Sequence, residues 1–422
     1  MIRTGAAFLT AVLVASEARA DEPPVRGEPP MMREPANPFM VADAFDEDDP
    51  FDVEIALGFQ LELAVATIGQ EHGDDIENVA RYTRLTARLL PRVEIGLYHD
   101  LAATLSFPVV LSDSRDLEPE NDATSGSISA DGEKLVALPM NAVERSGLDH
   151  IGAGLRWTPL NQSRDRRFPT WLLAVEGRFA VGPVMRACND HPPTFEVKCA
   201  APGDADRDGR RDEGEPELGE KTGAGLARGT AAVAFKTAVS RRVRYVEPYG
   251  MLDGVVEIPL PGSLFDEAAL GETILPPVRG ALSAGVVAIP WENREKFSRI
   301  NVDMRAVAIV RSSGLDYSEV FDAIGSSDAP SLRAPEPGRI TTGLTTVAAH
   351  AAFAAGANMV WQASAFIKLA LGAALRYELP HALTADDETS PAFRSSISPE
   401  GRRLVVRDSF VADFNARGEV TF

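Results

Sequence analysis

The stretch FDVEIALGFQLELAV, residues 51 to 65, puts a large apolar side chain at every odd position from Phe51 to Val65, with Asp52, Glu54, Ala56, Gly58, Gln60, Glu62 and Ala64 between them. Period-two alternation marks a β-strand with two unlike faces. An ordinary globular strand runs for roughly 5 or 6 residues. A segment this long has to cross something thicker than one layer of a sandwich.

The same alternation recurs, with varying clarity, over 85–97, 101–111, 148–158, 170–182, 225–239, 245–258, 280–290, 299–311, 339–355, 361–376 and 404–422. Together with 51–67 this predicts an all-β chain of about twelve strands. Pro91, Pro108 and Pro248 fall inside these segments and would each remove a ladder hydrogen bond, so each is expected at a strand end or a bulge.

Connection lengths carry the topology. Short links near Tyr98, over LNQSRDRRFP, near Ser240, over WENREKF and near Gly356 alternate with long segments such as 112–147, 183–224, 312–338 and 377–403. A meander with short turns at one end and long loops at the other predicts a closed antiparallel up-and-down transmembrane β-barrel, its turns in the periplasm and its loops outside. Trp157, Trp171, Trp291 and Trp361 all fall at the short-turn end, where an interfacial aromatic girdle belongs. A mean hydropathy of −0.08 suits either a barrel or a soluble protein, and outside the N-terminus no apolar run is long enough for a spanning helix.

Residues 1–20 combine Arg3, the apolar run GAAFLTAVLVA and the small-residue stretch ARA, which predicts a cleaved export signal and a mature chain starting at Asp21. Residues 21–50, rich in proline and acid, predict a disordered periplasmic leader, with the barrel over 51–422. The net charge of −20 argues against a nucleic-acid partner and favours divalent cations as counter-ions. The two cysteines, Cys188 and Cys199, lie close together in an exported chain, which predicts a local disulfide rather than a zinc site with His191.

The chain ends on Phe422 after alternating Phe410, Ala412, Phe414, Ala416 and Val420. This ending resembles the carboxy-terminal signal of bacterial outer-membrane β-barrels, the porin-like class of Gram-negative bacteria. The resemblance implies an outer-membrane location among lipid and lipopolysaccharide, and recognition of Phe422 by the barrel-assembly machinery. It names a class, so a transport activity does not follow from it.

If the large apolar residues face lipid, the alternate positions line a lumen. They include Glu54, Glu62, Glu94, Glu176, Asp303 and Asp413 against Arg92, Arg156, Arg178, Lys236, Arg305 and Lys368. Charge belongs on that side, because arginine or lysine facing lipid near the midplane costs about 2–4 kcal/mol. The balanced set admits a water-filled passage for small polar solutes with a transverse field, or a barrel plugged by internal ion pairs that serves surface attachment or envelope structure. The passage is the preferred reading, with Gly58, Gly96, Gly152 and Gly154 expected to leave room in the lumen.

In the long external loop, DADRDGRRDEGE over 204–215 has the spacing of an EF-hand-like calcium loop. Asp204, Asp206, Asp208 and Glu215 would supply side-chain oxygens, Arg210 a backbone carbonyl and Asp212 a direct or water-bridged ligand, with Gly209 at the sharp turn. Arg211 at the usually apolar position, Pro216 after the last ligand and the lack of a preceding amphipathic helix depart from the EF-hand. They predict a free-standing Ca2+ loop of modest affinity. For enzyme chemistry there is no GxSxG, HExxH or phosphate loop, and His150 and His350 are expected to be lumen or interface side chains. The expectation is a protein that is not an enzyme.

Overall fold

A computed structural model describes residues 35–42, 44, 52–120, 127–189, 198–199, 224–265, 276–293, 295–327, 329–333, 342–386, 388–390 and 392–422. Twelve antiparallel strands close into a barrel. In chain order they are β1 (Val53–His72), β2 (Asp75–Tyr98), β3 (Leu101–Ser106), β4 (His150–Leu160), β5 (Thr170–Ala180), β6 (Thr230–Ser240), β7 (Val246–Pro259), β8 (Arg279–Asn293), β9 (Ser298–Arg311), β10 (His350–Gln362), β11 (Ile367–Glu378) and β12 (Leu404–Thr421). Each strand pairs with its neighbours in sequence. The seam is β1 against β12, with Glu54 opposite Thr421 and reciprocal backbone bonds of 3.1 and 2.9 Å between Val53 and Phe422.

The alternation read from the sequence sorts the two faces. Leu57, Phe179, Leu282, Leu371, Leu375 and Phe414, from five different strands, are all more than half exposed on the outer face. No water-soluble monomer presents an apolar surface running round its whole circumference. A hydrocarbon solvent makes it the stable arrangement. Trp157, Trp171, Trp291 and Trp361 lie exposed at the short-turn end, and the Trp171 Nε1 donates to Thr237 Oγ1 at 2.9 Å.

Several boundaries move. The tenth strand, expected over 339–355, is β10 at His350–Gln362, while Thr345–Val347 pairs separately with Gly314–Asp316. Alanine at Ala355 and Ala357 blurs the alternation there, so Gly356 lies within the strand and Trp361 ends β10 instead of opening β11. The first hairpin is longer than expected. β1 and β2, of 20 and 24 residues, continue to a turn at Gly73. Pro91 sits opposite Leu57 in an unbroken β1–β2 ladder. Its other side accepts a hydrogen bond from Phe107 N, at the gap where β3 stops before Pro108 and resumes as Val109–Pro119. The two prolines thus share one break, and neither wastes a ladder position elsewhere.

Loops fold over the far end of the barrel as a cap with two apolar cores. One joins Ala66, Ile68, Ala80, Tyr82 and Leu117 on the inner face of the extended strands to Ile128, Leu135, Val320, Ile324, Leu332, Leu383 and Ile397 from the loops. The other packs Met185, Leu264, Phe265, Leu315, Phe321 and Leu344, from three loops, around helix α1 (Phe321–Gly325). The register of the two-residue ladder Cys188–Asn189 with Lys198–Cys199 sets Cys188 opposite Cys199. The expected calcium loop, Asp204, Asp206, Asp208, Arg210, Asp212 and Glu215, and the expected signal segment lie outside the described residues.

Candidate functional site

All twelve expected lumen residues occupy positions alternate to the lipid-facing side chains: Glu54 and Glu62 on β1, Arg92 and Glu94 on β2, Arg156 on β4, Glu176 and Arg178 on β5, Lys236 on β6, Asp303 and Arg305 on β9, Lys368 on β11 and Asp413 on β12. The lumen divides into three layers.

At the short-turn end, charges are paired across neighbouring strands. Lys368 Nζ lies 2.6 Å from Glu419 and 3.2 Å from Glu54, bridging the seam strands, and Arg417 reaches Glu419 at 3.2 Å. Glu94 takes Arg156 at 2.5 Å and also pairs with Arg92. Buried ions need this kind of mutual satisfaction, because an unpaired one carries a desolvation cost of several kcal/mol.

Into this layer runs the end of the expected leader. Residues 35–42, expected to be disordered, are held inside the barrel. The Ala36 N–H donates to Glu247 Oε2 at 2.6 Å and the Ala42 N–H to Glu94 Oε1 at 3.0 Å. Arg156 donates to the Met40 carbonyl at 2.9 Å and the fully buried Arg299 to the Pro35 carbonyl at 3.3 Å. Phe39 packs edge-on against Tyr249, ring centroids 5.0 Å apart, among Leu172, Ala238 and Val287. The proline-rich composition suggested disorder because the segment has no core of its own, yet the lumen supplies one.

The middle layer is more open. Lys236 and Arg305 project inward and remain accessible, and Lys236 makes no hydrogen bond or ion pair among the described residues. Arg88 approaches Glu62 only to 4.0 Å and Arg305 approaches Asp303 to 3.9 Å, while Tyr249 Oη donates to Asp303 at 2.8 Å. Asp413 accepts from Gln60. Gly152 and Gly154 do not leave empty room as expected. A Cβ at Gly152 would collide with Ser106 and Glu176, so the glycine admits the Ser106 to Glu176 hydrogen bond of 3.1 Å. At Gly58, similarly, a Cβ would meet the Leu90 side chain at 3.2 Å.

At the loop end, ion pairs tie the cap to the wall. Asp113 binds Arg84 and Arg115, each at 2.7 Å, and Arg145 reaches Asp322 of α1 at 2.5 Å. Arg228 spans Glu257 on β7 and Asp316 in the cap at 3.0 and 2.7 Å. His350, expected as a lumen or interface side chain, stacks on His381 with centroids 3.6 Å apart, and His150 lies 3.2 Å from Asp149. Among the described residues no serine hydroxyl meets either His150 or His350, and no cluster of three or more metal-ligating side chains forms.

Sequence reasoning passed over Arg88, Asp253, Arg417 and Glu419, all on the inner face by the same alternation; extending the parity count along each strand would have found them. Glu247, Tyr249 and Arg299 gave no such signal, since their importance depends on a segment more than 200 residues away in sequence.

No protein-family model matches the sequence, and no curated protein does. Similar solved structures include an outer membrane channel from Pseudomonas putida F1 (8% identity, 92% of this chain and 99% of that chain, TM-score 0.40). They also include a Pseudomonas aeruginosa FadL homologue (9%, 88% and 90%, TM-score 0.34) and the Escherichia coli outer membrane protease OmpT (9%, 88% and 96%, TM-score 0.29).

Proposed function

We propose that this chain is an outer-membrane channel for small polar solutes. The observation that supports it is the middle layer, where accessible Lys236 and Arg305 face the lumen. A barrel plugged by internal ion pairs would hold its interior charges in close contact, whereas Lys236 makes no ion pair among the described residues and Arg305 approaches Asp303 only to 3.9 Å. Purified protein reconstituted in planar bilayers should give discrete ion-conducting steps. Silence from protein that shows the heat-dependent gel shift of a folded barrel, with its cap and interior contacts loosened by substitution, would refute the reading. A non-conducting barrel for surface attachment is the second reading, favoured by the occupied lumen ends.

In this reading the signal segment is removed after Ala20, the short turns lie in the periplasm, Phe422 is read by the assembly machinery, and lipopolysaccharide surrounds the loop end. No enzymatic step is assigned to it. The loop that includes Asp204, Asp208 and Glu215 binds one Ca2+ and is braced by a Cys188 to Cys199 disulfide. The cross-strand register of the two cysteines supports the bridge. Asp204→Ala with Asp208→Ala should abolish calcium-dependent protection of residues 200–216 from proteolysis; identical cleavage of the parent with and without calcium would remove the metal.

A further inference from the structure

We infer that residues 35–42 form a releasable plug, a tethered occupant that closes the short-turn end of the lumen in the resting protein. Its gating consequence rests on the channel reading; its occupancy and release do not.

Three observations carry the inference. First, the segment is held by side chains. Among the described residues, the backbone groups of 35–42 bond to Glu247, Glu94, Arg156 and Arg299, and their one backbone–backbone bond is internal, Phe39 N to Ala36 O. Among the described residues, withdrawing 35–42 therefore breaks no rung of the barrel ladder. Second, the wall keeps partners for most of these groups when the segment leaves. Glu247 retains Ser240 Oγ at 2.6 Å, Glu94 retains Arg92 and Arg156, and Tyr249 retains Asp303. The two carboxylates and the tyrosine of the vacated layer keep partners, which brings an empty state within reach in energy. Third, the apolar anchor is small, with Ala36 and Phe39 entering a cleft of Leu172, Ala238, Tyr249 and Val287. Few buried contacts place the segment at the low-stability end of the molecule. Its covalent tether to β1 supplies a high effective concentration that keeps the weak contact occupied.

The experiment uses the full chain with a reporter thiol, Lys236→Cys, in the middle layer, and measures its rate of modification by a small methanethiosulfonate reagent in detergent. The protein without the reporter corrects for background. In the same chain, Phe39→Ala with Ala36→Pro removes the aromatic anchor and the N–H given to Glu247 without altering the wall. Modification should then speed up by about tenfold or more, the effect of losing roughly 1.4 kcal/mol of closure. A synthetic peptide of residues 35–44, PANPFMVADA, should slow it again in a saturable way. Equal rates with and without the two substitutions, in protein with an unchanged heat-dependent gel shift, would overturn the plug. So would acceleration that the peptide does not reverse. Bilayer conductance is read separately: faster labelling without any conductance leaves the plug standing and removes the channel, whereas conductance with unchanged labelling does the reverse.

Discussion

Asp322→Asn is the most direct probe of how the cap is held. The Asp322 carboxylate is 3% exposed and receives Arg145 through contacts of 2.5 and 3.4 Å, Arg115 at 3.7 Å and the Cys188 N–H at 3.1 Å. The amide keeps the shape and an acceptor for Cys188 but removes the charge. Arg115 still has Asp113 at 2.7 Å, so the loss falls on Arg145, itself 2% exposed. Breaking a buried pair in this way costs about 3–5 kcal/mol. Arg145 also donates to the Arg186 carbonyl at 2.8 Å, which puts the expected cost at the lower end, about 3 kcal/mol, or roughly a 150-fold shift in the opening equilibrium. Hydrogen exchange reads this directly at the amides of Ile324 and Ser326, which are bonded to Val320 O and Asp322 O in α1. They should exchange about 100-fold faster, while Gly401 N, held by Glu71 at the tip of the first hairpin, stays unchanged. The double variant Arg145→Met with Asp322→Leu should recover part of the protection, because an apolar pair replaces both charges while the Cys188 N–H loses its acceptor. Acceleration below about threefold in Asp322→Asn would mean that water already screens the pair, and the argument from burial would be wrong.

Two further outcomes follow from the same geometry. His381 is buried against His350 and gives its Nδ1 side to the Leu379 carbonyl at 2.8 Å; burial holds its pKa below the ordinary 6.5, with Arg311 acting in the same direction and the Leu379 bond and Glu378 opposing. The folded state therefore binds fewer protons than the unfolded one, so the stability of this corner is fully present above about pH 6.5 and is lost as pH falls through the folded value. Exchange of amides 379–384, corrected for intrinsic rates, should accelerate between pH 7.5 and 5.5 and become flat when both stacked rings are replaced, in His350→Phe with His381→Phe; a parent profile that is already flat would refute the linkage. On the wall, Leu371→Arg places a charge on the lipid face and should destabilise the barrel by about 2–4 kcal/mol in urea unfolding from vesicles, whereas Lys236→Gln, which keeps a polar side chain facing the lumen, should shift it by less than about 1 kcal/mol. Equal effects would mean that the two faces are not solvated differently.

The barrel was legible because its physics is local. Alternation at Phe51–Val65 or Phe410–Phe422 needs only neighbouring residues to declare which side meets hydrocarbon, and charged positions such as Glu94, Arg156 and Lys368 then have one face left to occupy. The reading failed where that local contrast weakens. Around Ala355, Gly356 and Ala357 small residues stand on both faces, and the strand was displaced by about ten residues. At Gly152 the absent side chain suggests space, whereas it makes way for Glu176 reaching in from the neighbouring strand.

What the sequence determined by itself is the wall: a run of two-faced strands joined alternately by short and long links can satisfy its backbone and hide its charges in one way, by closing on itself. Tertiary structure alone decided what fills the barrel. Pro35 to Ala42 has no periodicity to announce a partner, and α1 is too short to declare an amphipathic face, so their positions follow from groups the rest of the chain supplies: Glu247 and Arg299 at one end, Arg145 and the inner faces of Ile68 and Tyr82 at the other. Those contacts join residues up to hundreds of positions apart, and no local pattern encodes an encounter that exists only once the sheet has closed.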